Sequence, residues 1–148
     1  MVRILFVCTG NICRSPTAEG VFRHLAAEAG LADAMQTDSV GLTGWHIGDP
    51  PDRRAVEAAA RRGIDISGLR ARQLIQADFA DFDLLLAMDH GHRRELARRA
   101  PREHADKVRM YMEAASGALP PEVPDPYYGQ DEGFERVLDL IEEGARAW

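Results

Sequence analysis

The sequence predicts an α/β protein: a mainly four-stranded parallel sheet, doubly wound, with helices on both faces. Short apolar runs rich in β-branched residues alternate with segments of helical periodicity, and the β-helix-β order implies right-handed parallel crossovers. The chain has 148 residues, a length that suits one compact unit. We therefore expect residues 1–148 to form a single domain.

Composition limits the classes of protein to which the chain can belong. Its 45% hydrophobic and 28% charged residues are ordinary for a soluble globular protein, and no apolar run approaches the ~18 residues of a membrane span. No secretory signal precedes the first strand, so we expect a cytoplasmic protein with no membrane partner. The net charge of −6 argues against a nucleic-acid partner, because binding a polyanion requires a clustered positive face.

The first part of the chain predicts a β-helix-β unit. Residues 2–7 form an apolar run typical of a strand that is buried on both faces. Pro16 suits the first position of a helix, Ser15 suits its cap, and Gly30 suits its end. The apolar stripe predicted for this helix consists of Ala18, Phe22, Leu25 and Ala29. A second strand is expected over residues 36–41.

The remainder of the sequence, from residue 42 onward, predicts two more strands and three helices. The strands are expected at residues 82–88 and 107–112, and the helices at residues 52–62, 91–99 and 134–148. Asp89 is expected to cap the second of these helices. The group Asp89, His90 and His92 also resembles a set of metal ligands. Residues two apart on a helix do not face one point, however, so we expect no metal.

A loop of eight residues, Cys8–Ser15, connects the first strand to the first helix. Gly10 and Asn11 tolerate the left-handed conformations that a concave nest of backbone N–H groups requires. We expect Thr9, Gly10, Asn11, Ile12, Cys13, Arg14 and Ser15 to cradle a phosphate or sulfate ion. This segment is hereafter called the phosphate loop.

Three side chains of the phosphate loop suggest a reaction. Cys8 faces the helix N-terminus and the loop N–H dipoles, which favour a nucleophilic thiolate. Arg14 follows after five intervening residues, and its planar guanidinium can hold two phosphate oxygens. Ser15 can donate a hydrogen bond to the sulfur and so make it a better leaving group. The pattern predicts attack of sulfur on phosphorus.

Displacement of an aryl oxide from phosphorus also needs a proton donor. The best candidate is Asp125, which lies between Pro124 and Pro126 in a segment that the prolines stiffen. An Asp-Pro pair also starts many ordinary turns, and Asp89 and Asp131 remain alternative acids.

The run Val7–Pro16 resembles the signature of the low-molecular-weight protein tyrosine phosphatases. The segment Asp-Pro-Tyr-Tyr at residues 125–128 is similar to the acid loop of that family. The resemblance implies a phosphotyrosine phosphatase that uses a phosphocysteine on Cys8, with Arg14 binding phosphate and Asp125 as general acid and base. It implies no metal and no cofactor. The expected partner is a phosphotyrosine-containing protein, for which a tyrosine kinase is one candidate.

The resemblance also assigns roles to residues outside the phosphate loop. Trp45, Tyr127 and Tyr128 are expected to line the pocket for the phosphotyrosine ring, although Trp45 could instead fold back onto the core. Ser39 corresponds to a position that holds the phosphate loop in shape. Cys13 would form a protective, redox-sensitive disulfide with Cys8 or simply pack under the loop. Leu69 departs from the family pattern, because many relatives carry there a histidine that supports the loop asparagine.

Two other functions remain open at the level of sequence. An enzyme similar to the thioredoxin-coupled arsenate reductases would share the loop but needs further cysteines, and the chain has none after Cys13. A phosphoprotein-binding module would keep the loop without turnover. The presence of Cys8, Arg14 and Asp125 together argues against that second alternative.

Overall fold

The computed structural model describes residues 2–114, 122–123, 138–142 and 144–145. Four strands form one parallel sheet in the order β2-β1-β3-β4, which confirms the predicted doubly wound α/β fold. The strands are β1 (Val2–Cys8), β2 (Met35–Gly41), β3 (Leu84–Ala87) and β4 (Val108–Met110). The α-helices within the described ranges are α1 (Arg14–Glu28), α2 (Arg53–Ala60), α3 (Asp78–Asp81) and α4 (His90–Arg99), and residues 138–142 and 144–145 are also helical.

The central strand β1 supplies side chains to two separate cores. Ile4, Phe6 and Cys8 face the core that includes α1 and α2, whereas Leu5 and Val7 face the core that includes α4. All five side chains are at most 3% exposed. Because neighbouring residues of a strand point to opposite faces, a continuous apolar run is what a doubly covered strand requires.

The strand register places the functional loops at one edge of the sheet. Cys8 pairs with Gly41 of β2, and Val7 pairs with Ala87 of β3, so these three strands end together. The connection after β1 leads to β2 on one side of β1, whereas β3 pairs with the other side of β1. Ligands of open α/β sheets bind at such a switch point, beyond the carboxyl ends of the strands.

The start of α1 differs from the prediction. The helix begins at Arg14 with Cys13 as its N-cap residue, and no side chain caps it. Ser15 therefore lies inside the first turn, where its hydroxyl bonds other side chains instead of capping the helix. Pro16 occupies the third helical position, which costs no intrahelical hydrogen bond because the first-turn N–H groups have no partner within the helix.

Other predicted elements are confirmed with small changes of boundary. Asp52 caps α2 by accepting from the N–H of Arg54, and Gly63 follows that helix at a φ of +78°. Asp89 caps α4 as expected. The predicted Ala29 is exposed, and the buried stripe of α1 instead consists of Ala18, Val21, Phe22 and Ala26. Within the described ranges, no helix has the length and apolar character needed to cross a membrane.

Candidate active site

The phosphate loop is packed against the end of β2. Leu42 N–H donates to the carbonyl of Cys8 over 3.0 Å, and Thr43 N–H donates to the carbonyl of Thr9 over 3.1 Å. A Cβ atom added at Gly41 would lie 2.8 Å from the carbonyl oxygen of Thr9 and 3.1 Å from the backbone nitrogen of Asn11. Only glycine permits this close approach of the two segments.

The sulfur of Cys8 has two polar neighbours within the loop. Its Sγ atom lies 3.0 Å from the hydroxyl oxygen of Ser15, and the backbone N–H of Asn11 points at it over 3.3 Å. The Cys8 side chain is buried, at 3% exposure. Two donors directed at one sulfur atom are able to stabilise negative charge on it. The contact between Ser15 and sulfur is the one expected from the sequence.

Asn11 holds the phosphate loop through both ends of its side-chain amide. It adopts a φ of +61° in the left-handed region, as expected for this position. Its Nδ2 donates to the hydroxyls of Ser15 at 2.7 Å and Ser39 at 2.9 Å, and its Oδ1 accepts from the backbone N–H of Arg72 at 3.0 Å. Leu69 packs against the core instead of reaching the loop. Asn11 is thus held by Ser39 and Arg72.

Glu19 extends this network into the protein interior. The hydroxyl of Ser39 donates to Oε1 of Glu19 over 2.9 Å, and Arg23 forms an ion pair with Oε2. Burial raises the pKa of Glu19, and the bonds from Ser39 and Arg23 only partly oppose this effect. Sequence reasoning did not single out Glu19. The sequence feature that could have identified Glu19 is an acidic residue four positions after Ser15, on the buried face of α1.

Arg14 is buried and forms hydrogen bonds with the N-cap residue of α4 and with Val123. Its Nη1 donates to Oδ2 of Asp89 at 2.9 Å and to the carbonyl of Val123 at 3.0 Å. The N–H of Val123 in turn donates to the carbonyl of Met88 at 2.7 Å. These bonds fix one edge of the guanidinium at the crevice between β1 and β3.

Asp89 uses both carboxylate oxygens. Oδ1 accepts from the backbone N–H of His92 at 2.8 Å and so caps α4, while Oδ2 receives the bond from Arg14. Burial raises the pKa of Asp89, but the bond from the backbone N–H of His92 and the bond and charge of Arg14 outweigh burial and leave the pKa below its usual range. A carboxyl group held in this state is a weak proton donor at neutral pH.

His92 lies at the phosphate loop. Its Nε2 is 2.8 Å from the hydroxyl oxygen of Thr9. His90 does not share this position, since it is exposed while His92 is buried. Across the part of the chain that the structure describes, no three His, Cys, Asp or Glu side chains are placed to hold a metal ion.

The loop after β2 carries the predicted aromatic side chain. Trp45 is 77% exposed, so it does not fold back onto the core. The neighbouring His46 lies over the phosphate loop, because a Cβ atom added at Gly10 would be 2.9 Å from its Cδ2 atom. This contact brings the loop that contains Trp45 against the phosphate loop.

The other candidate residues are only partly described. Cys8 and Cys13 are both reduced and buried, and Ile12 is half-buried with its carbonyl accepting from Asp52 N–H at 2.6 Å. Asp125, Tyr127 and Tyr128 lie outside the described residues, as does Asp131.

Fold and site together define a class of protein: an α/β protein in which a loop between β1 and α1 surrounds a cysteine at a topological switch point of the sheet. Comparison with known proteins agrees with this class. The family model described as low molecular weight phosphotyrosine protein phosphatase matches residues 3–148. The chain belongs to this family, which is a family of hydrolases.

Individual relatives cover nearly the whole chain. A putative low molecular weight protein-tyrosine-phosphatase of Synechocystis is 45% identical over 96% of this chain and 90% of its own length. The crystal structure of a protein tyrosine phosphatase from Entamoeba histolytica, with Hepes in its active site, superposes with a TM-score of 0.96 at 35% identity, covering 99% of this chain and 94% of the other. Wzb of Vibrio vulnificus, in complex with benzylphosphonate, gives a TM-score of 0.87 at 35% identity, with coverage of 99% and 96%.

Proposed function

We propose that this protein hydrolyses phosphotyrosine in proteins, and small aryl phosphates, through a phosphocysteine intermediate on Cys8. The observation that carries the proposal is the position of the Cys8 sulfur, which has the hydroxyl of Ser15 at 3.0 Å and the N–H of Asn11 at 3.3 Å. Thiolate attack forms the S–P bond and breaks the P–O bond to the aryl group. The phenolic oxygen takes a proton from Asp125 as it leaves.

The second step regenerates the enzyme. Water attacks phosphorus, the S–P bond breaks, and the carboxylate of Asp125 accepts the proton of the water, so inorganic phosphate and the Cys8 thiolate are released. Ser15 donates to the departing sulfur. The loop N–H groups and Arg14 stabilise the charge on the three equatorial oxygens in both steps.

Two hydrogen bonds hold the guanidinium of Arg14 in place. Nη1 has both of its hydrogens directed at protein acceptors, Asp89 and Val123. These two bonds orient the planar guanidinium, which can hold two phosphate oxygens.

The role of Asp125 is supported by its distance along the chain from a fixed residue. Val123 is buried, and its carbonyl accepts from Arg14. Asp125 follows Val123 by two residues in the sequence. Asp89, the alternative acid, has both oxygens engaged and a lowered pKa.

Trp45, Tyr127 and Tyr128 form the proposed walls of the substrate pocket. The exposure of Trp45 beside the phosphate loop supports this assignment, since an aromatic ring left in solvent can stack on the ring of phosphotyrosine. The binding of benzylphosphonate by Wzb supports a substrate of the same shape, a phosphoryl group on an aromatic ring.

The experiment compares turnover of p-nitrophenyl phosphate with binding of inorganic phosphate. We expect Cys8→Ser to abolish turnover while calorimetry still detects phosphate. Asp125→Asn should lower kcat by about 10²–10⁴-fold for phenols that leave poorly and far less for phenols that leave easily. Asp89→Asn is the matched comparison, since it should show no such dependence on the leaving group.

Two results would contradict the proposal. Phosphate binding by the wild type without any turnover would favour a phosphoprotein-binding module. Equal losses for good and poor leaving groups in Asp125→Asn would remove Asp125 as the acid.

A redox role for Cys13 is a separate part of the proposal. Peroxide oxidises the Cys8 thiolate to a sulfenic acid, and the Cys13 thiol then attacks its sulfur, forming a disulfide and releasing water. Both cysteines are reduced and buried. Mass spectrometry of peroxide-treated protein should detect the Cys8–Cys13 disulfide. Overoxidised Cys8 without that bond would exclude the protective role.

A further inference from the structure

His92 is a buried histidine that the proposed mechanism does not use. It lies in the first turn of α4 and is 4% exposed. Its Nε2 atom is 2.8 Å from the hydroxyl oxygen of Thr9 and 3.4 Å from Nη2 of Arg14. One ring nitrogen therefore contacts the residue that follows the nucleophile and the arginine at the other end of the phosphate loop.

The chemistry of these neighbours decides the protonation state of the imidazole. A guanidinium N–H can only donate, so Nε2 must be an acceptor in its contact with Arg14. The imidazole is then neutral and its proton is on Nδ1, which lies 3.3 Å from Oδ1 of Asp89. The hydroxyl of Thr9 donates to the same Nε2.

We propose that His92 is a positioning residue for the phosphate-binding site. Its neutral ring holds Thr9 and Arg14 at a fixed separation across the crevice where an oxyanion binds. Asp89 holds the backbone of His92 through Oδ1 and binds Arg14 through Oδ2. The inference rests on the proposed function, because the phosphate is the group that needs the loop N–H groups and Arg14 in register.

The role of His92 can be tested with two substitutions at this position and one at His90, two residues earlier in the chain. His92→Leu removes the acceptor, and we expect it to weaken binding of inorganic phosphate and to lower kcat/KM for p-nitrophenyl phosphate, each about tenfold. His92→Gln places a neutral amide oxygen near the position of Nε2 and should restore most of both quantities. The exposed neighbour provides the control, since His90→Leu should leave both within about twofold.

A double-mutant cycle with Thr9→Val shows whether the two residues act through one bond. We expect the loss in Thr9→Val, His92→Leu to be smaller than the product of the two single losses. If His92→Leu does not fold, Thr9→Val and His92→Gln carry the test: a loss of phosphate affinity in the first and near-normal affinity in the second support the role.

Three results would overturn the inference: wild-type phosphate affinity and kcat/KM in folded His92→Leu, equal losses in the Gln and Leu variants, or wild-type phosphate affinity in Thr9→Val. Its failure is distinguishable from failure of the proposed function. An active wild type with unaffected variants removes only the role of His92. A wild type that neither turns over aryl phosphates nor binds phosphate removes the function itself.

Discussion

The backbone N–H of Arg72 donates to Oδ1 of Asn11 over 3.0 Å. Arg72 is itself fixed by ion pairs with Asp38 at 2.9 Å and Asp78 at 3.1 Å. The phosphate loop is therefore anchored to a segment 61 residues further along the chain. A backbone group supplies this support, so the leucine at position 69 does not leave Asn11 unsupported.

Asn11→Ala is predicted to destabilise the protein by about 2–4 kcal/mol. The substitution removes the hydrogen bonds of the buried groups that contact the Asn11 amide. It also places alanine in the left-handed region, which asparagine tolerates better because its side chain is polar. Urea unfolding would measure the change in the free energy of unfolding. Asn11→Gly should be less destabilising by about 1 kcal/mol, because glycine adopts a positive φ without strain. Equal losses in both variants would contradict a contribution from backbone strain.

Gly41→Ala is predicted to damage the site more than the fold. The new methyl group would lie 2.8 Å from the carbonyl oxygen of Thr9, so the phosphate loop must shift. Misplacement of reacting groups by about 1 Å can cost about 10²-fold in rate, and we expect a loss of that order in kcat/KM for p-nitrophenyl phosphate. Gly68→Ala is the control, since no atom lies within 4 Å of a Cβ there. Normal activity in Gly41→Ala would show that the loop tolerates displacement.

Glu19→Gln is predicted to change how stability depends on pH. Burial raises the pKa of Glu19 above its usual 4.5, so the folded state binds a proton more tightly than the unfolded state does. The stability contributed by Glu19 is fully present below the unfolded pKa and is lost as the pH rises through the folded pKa.

Glutamine does not titrate and still offers an oxygen to Ser39. The free energy of unfolding of the wild type, relative to Glu19→Gln, should therefore fall as the pH rises above the usual pKa of 4.5. Urea unfolding of both proteins at each pH measures this difference. A difference that grows with pH would mean that the Glu19 carboxylate is stabilised by folding.

Trp45→Ala is predicted to affect substrate binding with little effect on stability. The side chain is 77% exposed, so the free energy of unfolding should change by less than about 0.5 kcal/mol. Loss of ring stacking should raise KM for a phosphotyrosine peptide about fivefold, while inhibition by inorganic phosphate stays the same. Leu31→Ala removes another exposed apolar side chain, near the opposite edge of the sheet, and should leave KM unchanged. An unaltered KM in Trp45→Ala would exclude its role as a pocket wall.

The sequence by itself determined the sheet and the phosphate loop, because both depend on local patterns. A run of apolar residues specifies the doubly buried β1, and Gly10, Asn11 and Arg14 specify the loop within eight residues of chain. The capping of α4 by Asp89 follows from local chemistry in the same way.

Only the tertiary structure decided which distant residues complete the site. Arg72 and His92 contact the phosphate loop, and Glu19 is linked to it through Ser39, because the parallel register brings the ends of β1, β2 and β3 to one edge. Ser15 contacts the Cys8 sulfur as predicted, but it does not cap α1, and its hydroxyl also accepts from the amide of Asn11. Contacts between residues far apart in the chain depend on register and packing, which no local pattern encodes.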